Sequence, residues 1–209
     1  MSARPRRRHF SMIRDFHLAD VLTLANGACG TAAIFLTMDY LRQARAERIY
    51  AAGLAVVAAL ALDVLDGRVA RWRHDASPLG RELDSLADVI SFGVAPACLA
   101  YGVGMSGLWD VAALLYFTAC GISRLARYNV TAEAIAARAG EVTHFEGTPI
   151  PTSVVLVLLL VALTWLGRVG DDLPLGVVAL GPFDLHPLAL LFVLSGSLMI
   201  SKTLRVPKP

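Results

Sequence analysis

Four aspartates, Asp63, Asp66, Asp84 and Asp88, stand in or beside two long apolar runs of this 209-residue chain. A carboxylate at membrane depth is costly and marks a functional site by default. Asp63 and Asp66 are spaced i, i+3 and Asp84 and Asp88 i, i+4, so each pair shares one face of its helix. Between the pairs, Ser77, Pro78 and Gly80 are expected to break the helix, and a hairpin at that point brings the two acidic faces together. Four converging carboxylates repel one another unless cations lie between them. Oxygen-only ligation suits one or two hard divalent ions, Mg²⁺, Mn²⁺ or Ca²⁺. Gly67 follows Asp66 directly and Ala70 lies one turn on, which leaves the backbone open to a bulky ligand. Arg71, at i+4 from Gly67, has the reach to pair with a phosphate in bidentate fashion. Metal ions, a basic side chain and small residues at one place describe a clamp for a phosphoryl group. A structural ion-pair network is the alternative, but four acids at matched helical spacing exceed what a pair needs.

The elements that must hold these residues are membrane helices. The chain is 56% hydrophobic and 17% charged, with a mean hydropathy of +0.59, whereas about a quarter of the residues of a soluble domain are charged. A helix needs about 20 apolar residues to cross a bilayer core, and such runs occur near 18–38, 50–70, 83–103, 108–128, 150–167 and 186–201. The expected fold is therefore all-α and polytopic, with about six transmembrane helices. The stretch DDLPLGVVALGPFDLHP before the last run reads as a loop or short re-entrant piece. The first run follows the basic segment RPRRRH, is too long for a signal-peptide core and is expected to be retained. With the N-terminus in the cytoplasm, five basic residues precede the first span, four lie at the ends of or between spans two and three, three at the end of span four or between it and span five, and three follow the last. Only Arg42, Arg45, Arg48 and Arg168 then fall outside, so the positive-inside rule selects this topology, with both termini cytoplasmic. The chain divides into a basic juxtamembrane segment 1–17, a transmembrane domain 18–203 and a tail 204–209.

Other features are quieter. The N-terminal stretch through Arg14, with Phe10, Met12, Ile13, Phe16 and Leu18, fits either an interfacial helix on anionic lipid or a topogenic flank. No basic domain suggests nucleic acid. Cys29, Cys98 and Cys120 lack the paired spacing of a zinc or dithiol site and read as small core hydrophobes. The five scattered histidines, His9, His17, His74, His144 and His186, lie outside the acidic cluster and receive no catalytic role. The stretch from Thr131 to Phe145 reads as a small cytoplasmic element, and Glu146, Gly147, Pro149 and Pro151 as a rigid turn leading into span five. Buried acids between membrane helices also mark ion pathways, so a divalent-cation transporter is the rival class. A pathway needs ligands reachable from both faces, whereas these four aspartates fall toward the cytoplasmic half.

The string from Asp63 to Asp88, D-V-L-D-G-R-V-A-R, then eight residues to Gly80, three to Asp84 and three to Asp88, resembles the complete signature of the CDP-alcohol phosphotransferase family. Within that family the flanking strings LDSLADVISFGVAPA, CGISRLARYNV, FEGTPIPTS and LTLANGACG are similar to the integral-membrane phosphatidylserine synthases. Departures are Ala19 and Asp20 where a Pro-Asn pair is common, and Thr148 where Leu is frequent.

The resemblance implies a divalent metal, Mg²⁺ or Mn²⁺, held by Asp63, Asp66, Asp84 and Asp88, with Asp88 also the general base. It implies that Asp63, Asp66, Gly67, Arg71, Ser77 and Gly80 bind CDP-diacylglycerol, that L-serine is the acceptor and that CMP leaves. It further implies a homodimer in the cell membrane with the active site facing the cytoplasm. A weakly nucleophilic alcohol needs a carboxylate within hydrogen-bond reach. Arg124 and Arg127, with Asn129, are candidates for the acceptor's carboxylate or, equally, positive-inside anchors; a phosphorylated acceptor such as glycerol 3-phosphate or inositol phosphate would suit the same arginines.

Overall fold

The computed structural model describes residues 18–73, 78–136, 144–201 and 205–207. Ser77, the basic segment 1–17 and half of the tail lie outside them. Helices α1 (Leu18–Gln43) and α2 (Ala46–Arg73) are joined by two residues. Ala44 takes a left-handed turn there, φ 50°, and Arg48 approaches Asp39 at 4.0 Å across it. So short a link leaves the two helices no option but to pack antiparallel along their length.

The third rod is α3 (Pro78–Asp88), a π-helical turn (Val89–Val94) and α4 (Ala95–Gly102). The expected break falls between Arg73, where α2 ends, and Pro78, where α3 begins, so that Pro78 and Gly80 sit in the first turn of α3. Proline is tolerated there because the first amides of a helix have no internal partner. The interior anomaly comes from Pro96. Its missing N–H and its ring disfavour the bond to the carbonyl four residues back, that of Phe92, and the helix answers by widening, so that the Ala95 N–H bonds the Ile90 carbonyl. The Phe92 carbonyl is satisfied from another helix, by the Ser153 hydroxyl at 2.7 Å.

Helix α5 (Leu108–Ala136) runs eight residues past the expected end of its span. After β1 (His144–Glu146) and a 3₁₀ turn (Ile150–Ser153) come α6 (Val154–Trp165), a hairpin of β2 (Val178–Leu180) and β3 (Phe183–Leu185), α7 (Leu190–Ile200) and β4 (Arg205–Pro207). The stretch read as a loop or re-entrant piece thus contains this hairpin, its two-residue turn made by Gly181 with φ 68°. Strand β4, in the expected tail, pairs antiparallel with β1, Phe145 opposite Val206.

Four helices among the described residues are long and apolar enough to cross a membrane: Ala19–Gln43, Ala46–Val69, Leu79–Gly102 and Leu108–Val130. The apolar helices Ile150–Trp165 and Pro187–Ile200 are shorter. Large apolar side chains face outward, with Leu54 70% exposed, Val155 68% and Leu115 67%, while Ala52, Ala59 and Ala95 lie in the interior. Bulky apolar side chains on the outer face suit a surface bathed in lipid, and the buried alanines let the helices approach closely. The core centres on Phe117 and Phe192, packed edge to face at 5.3 Å.

Candidate active site

The acidic residues sit where three helices converge: the last turns of α2, the last two turns of α3 and the later turns of α5. One carboxylate oxygen from each of Asp63, Asp66 and Asp84 lies within 4.8 Å of the others. Asp66 and Asp88 are buried at 6% exposure, and Asp63 and Asp84 half-buried. Asp88 lies outside that trio, one turn deeper on α3, where the charges of Asp63, Asp84 and Asp66 all bear on it. Buried like charges at this spacing are tolerable only if something positive joins them.

The donor set is oxygen only, and one Asp84 oxygen is buried with no hydrogen-bond partner. A lone pair left that way costs roughly 1–3 kcal/mol, which ligation to a hard divalent ion would remove. The residues therefore fit such an ion. Gly67 borders open space, with nothing within 4 Å of where a Cβ would point, as an approaching ligand requires. Gly80 lies in the first turn of α3. Arg71 lies on α2, but its side chain is outside the described set, as is Ser77.

From α5, Arg124 lies within electrostatic reach of Asp88, and its Nε is buried without a hydrogen-bond partner. Arg127 is half-buried nearby. Asn129, expected as an acceptor contact, bonds to α3: its amide donates to Ser85 Oγ at 3.0 Å and to both Glu82 oxygens at 3.3 Å. It ties α5 to α3 beside the acids.

Helix α1 contributes side chains that sequence reasoning passed over. Thr23 Oγ1 donates to Asp66 Oδ2 at 2.7 Å, Asn26 Nδ2 donates to Asp88 Oδ1 at 3.3 Å, and Asp20 is buried one turn before. Asp20, Thr23 and Asn26 recur every three residues in an otherwise apolar run, a spacing that marks one polar face without saying which helix it meets. A second unexpected polar pair lies toward the start of α5, about 20 Å along the helix from Arg124. There the fully buried Asp110 accepts from the backbone N–H of His186 at 2.7 Å and from that of Gly107 at 3.1 Å, and its carboxylate meets His186 Nδ1 at 2.6 Å.

Residues 16–195 match the CDP-alcohol phosphatidyltransferase family. The CDP-diacylglycerol--serine O-phosphatidyltransferase of Saccharomyces cerevisiae is 40% identical over 96% of this chain and 74% of the relative. The enzyme of the same name from Bacillus subtilis is 33% identical over 67% of this chain and 72% of its own length. The archaetidylserine synthase of Methanothermobacter thermautotrophicus is 36% identical over 67% of this chain and 55% of its own length.

Proposed function

The chain belongs to the CDP-alcohol phosphatidyltransferase family, and we propose that it transfers the phosphatidyl group of CDP-diacylglycerol to L-serine, forming phosphatidylserine and CMP. The observation that carries this reading is the convergence of Asp63, Asp66 and Asp84 beside a buried Asp88, in a chain 40% identical over almost its whole length to a serine phosphatidyltransferase.

In this reading Asp63, Asp66 and Asp84, with Asp88 at the edge of the group, hold Mg²⁺ or Mn²⁺; the family is in general divalent-metal dependent. A bound divalent ion supplies positive charge for the nucleotide's phosphates. Gly67 and Gly80 let the CDP portion approach the backbone, and Arg71 and Ser77 contact its phosphates. Asp88 takes the proton of the serine hydroxyl as its oxygen bonds to the phosphorus carrying diacylglycerol, while the bond from that phosphorus to CMP breaks. Arg124, with Arg127, receives the serine carboxylate.

The same proposal places the chain across the cell membrane as a homodimer, its transmembrane domain spanning 18–203. The two shorter helices complete six spans, with both termini and the acids on the cytoplasmic side, where a water-soluble amino acid meets a lipid-anchored nucleotide. The test is CMP release by purified protein supplied with CDP-diacylglycerol, Mn²⁺ or Mg²⁺, and each acceptor in turn. Release with L-serine is expected. Release with glycerol 3-phosphate or inositol phosphate but not serine overturns the acceptor assignment, and no release with any acceptor overturns the transferase reading.

A further inference from the structure

Helix α1 lies outside the acidic signature, yet it touches two of its four carboxylates. Thr23 and Asn26 are nearly or fully buried, at 4% and 0% exposure, and stand one turn apart on the face turned toward α2 and α3. The Thr23 hydroxyl has one proton to give. The Asp66 oxygen at 2.7 Å is the shorter-range and charged acceptor, against 3.1 Å to the Ala19 carbonyl in its own helix, and charge-assisted bonds are the stronger kind. The Asn26 amide reaches Asp88 Oδ1 at 3.3 Å.

Asn26 is itself held in place. The Ser91 hydroxyl donates to the Asn26 backbone carbonyl at 2.9 Å, and Ser91 is in the π-helical turn just beyond Asp88. The helices come this close because residue 30 is glycine: a Cβ there would fall 2.4 Å from Ser91 Oγ and 2.6 Å from its Cα. The two contacts on α1 are therefore fixed by backbone packing rather than by mobile side chains alone. A carboxylate whose one oxygen is pinned has its other lone pairs pointed in a set direction.

We propose that Thr23 and Asn26 are positioning residues with separate tasks. Thr23 acts through Asp66 on the metal and nucleotide side, and Asn26 acts through Asp88 on activation of the acceptor hydroxyl. This rests on the roles assigned to Asp66 and Asp88 above. The separation follows from position: Asp66 is one of the three acids that converge and Asp88 stands at their edge, so misdirecting Asp66 chiefly weakens binding of the ion, whereas misdirecting Asp88 chiefly slows proton transfer.

The experiment measures CDP binding to the purified full-length protein as Mn²⁺ is titrated, and steady-state kinetics with CDP-diacylglycerol and serine. Thr23→Val is expected to raise the Mn²⁺ concentration for half-maximal CDP binding about tenfold, with kcat near normal at saturating Mn²⁺ and with Thr23→Ser restoring the requirement. Asn26→Leu is expected to leave CDP binding and its Mn²⁺ requirement within about twofold while lowering kcat about 100-fold, the scale of a displaced general base. Asn26→Ser, smaller and polar, gives the same split should the leucine variant fail to fold. Loss of nucleotide binding and kcat together in both variants, in step with falling thermal stability, makes the residues merely structural and overturns the proposal. So does an unchanged Mn²⁺ requirement in Thr23→Val. A wild-type protein that binds CDP but releases no CMP with any acceptor is a different failure, that of the transferase reading, and the Thr23 result still reads out.

Discussion

Asp88 differs from its three acidic neighbours in depth and in company. It lies beyond the trio of oxygens formed by Asp63, Asp66 and Asp84, accepts from Asn26 and faces Arg124 across from α5. In the proposed reaction a carboxylate at the rim of the acids that would hold the ion, beside a cation that would hold the acceptor, is the one to take the proton. Asp88→Asn is isosteric and removes the basic oxygen while the other three acids stay. It is expected to lower kcat at least about 100-fold while CDP binding in the presence of Mn²⁺ stays measurable by calorimetry; a near-normal rate would remove Asp88 as the base. At this scale the spacing of the acids made them legible, because helical periodicity alone puts each pair on one face. The partners on α1 were not. Thr23 and Asn26 are unremarkable residue types, and which helix their face meets depends on a close approach at Gly30 that no local pattern encodes. The partners of Asn129 escape the sequence for the same reason: its amide is used by Glu82 and Ser85, residues more than forty positions away.

The elements follow from the sequence where one residue dominates and escape it where two segments share a task. The apolar runs gave the helices, and the two-residue link between α1 and α2 gave their antiparallel packing. The π-helical turn has its cause in Pro96, but its persistence depends on Ser153, fully buried and donating to the carbonyl that the proline leaves unserved. That turn follows Asp88 directly, so it sets the angle at which α3 delivers Asp84 and Asp88 to the other acids; π-helical turns often occur at functional sites for such reasons. Ser153→Ala strands the Phe92 carbonyl in a dry interior. The expected cost is about 1–3 kcal/mol, read as a lowered midpoint in thermal unfolding of the detergent-solubilised protein. Ser153→Thr, which keeps the hydroxyl, is expected to retain more of the stability than alanine. Equal stability of Ser153→Ala and wild type would mean that the carbonyl finds another donor. The β2–β3 hairpin was hidden for a different reason: its strands are three residues long, and a segment rich in glycine and proline carries turn signals without revealing which turns pair.

Among the described residues the buried charged side chains separate into two clusters. The acids, Arg124 and Asn129 gather at one end of the bundle. The Asp110–His186 pair, with the Trp109 indole bonded to the Leu180 carbonyl at 3.2 Å, gathers at the other, where the hairpin packs. Between them Phe92, Leu99, Phe117 and Phe192 are almost completely buried. A chain of ion ligands from face to face would have to pass this plug, which favours a site open to one side over a pathway through the membrane. In the proposed topology the open side is the cytoplasmic one, because the positive-inside rule assigns fifteen of the nineteen basic residues of the sequence to that side. Orientation is therefore testable with single cysteines placed in a version lacking Cys29, Cys98 and Cys120. Pro182→Cys lies at the exposed hairpin turn and is expected to react with a membrane-impermeant maleimide in intact cells. Trp72→Cys, at a position 80% exposed near the acidic end, is expected to react only after the membrane is opened. The reverse pattern would put the acids outside, where no cytoplasmic nucleotide could reach them, and the proposed reaction would have no donor.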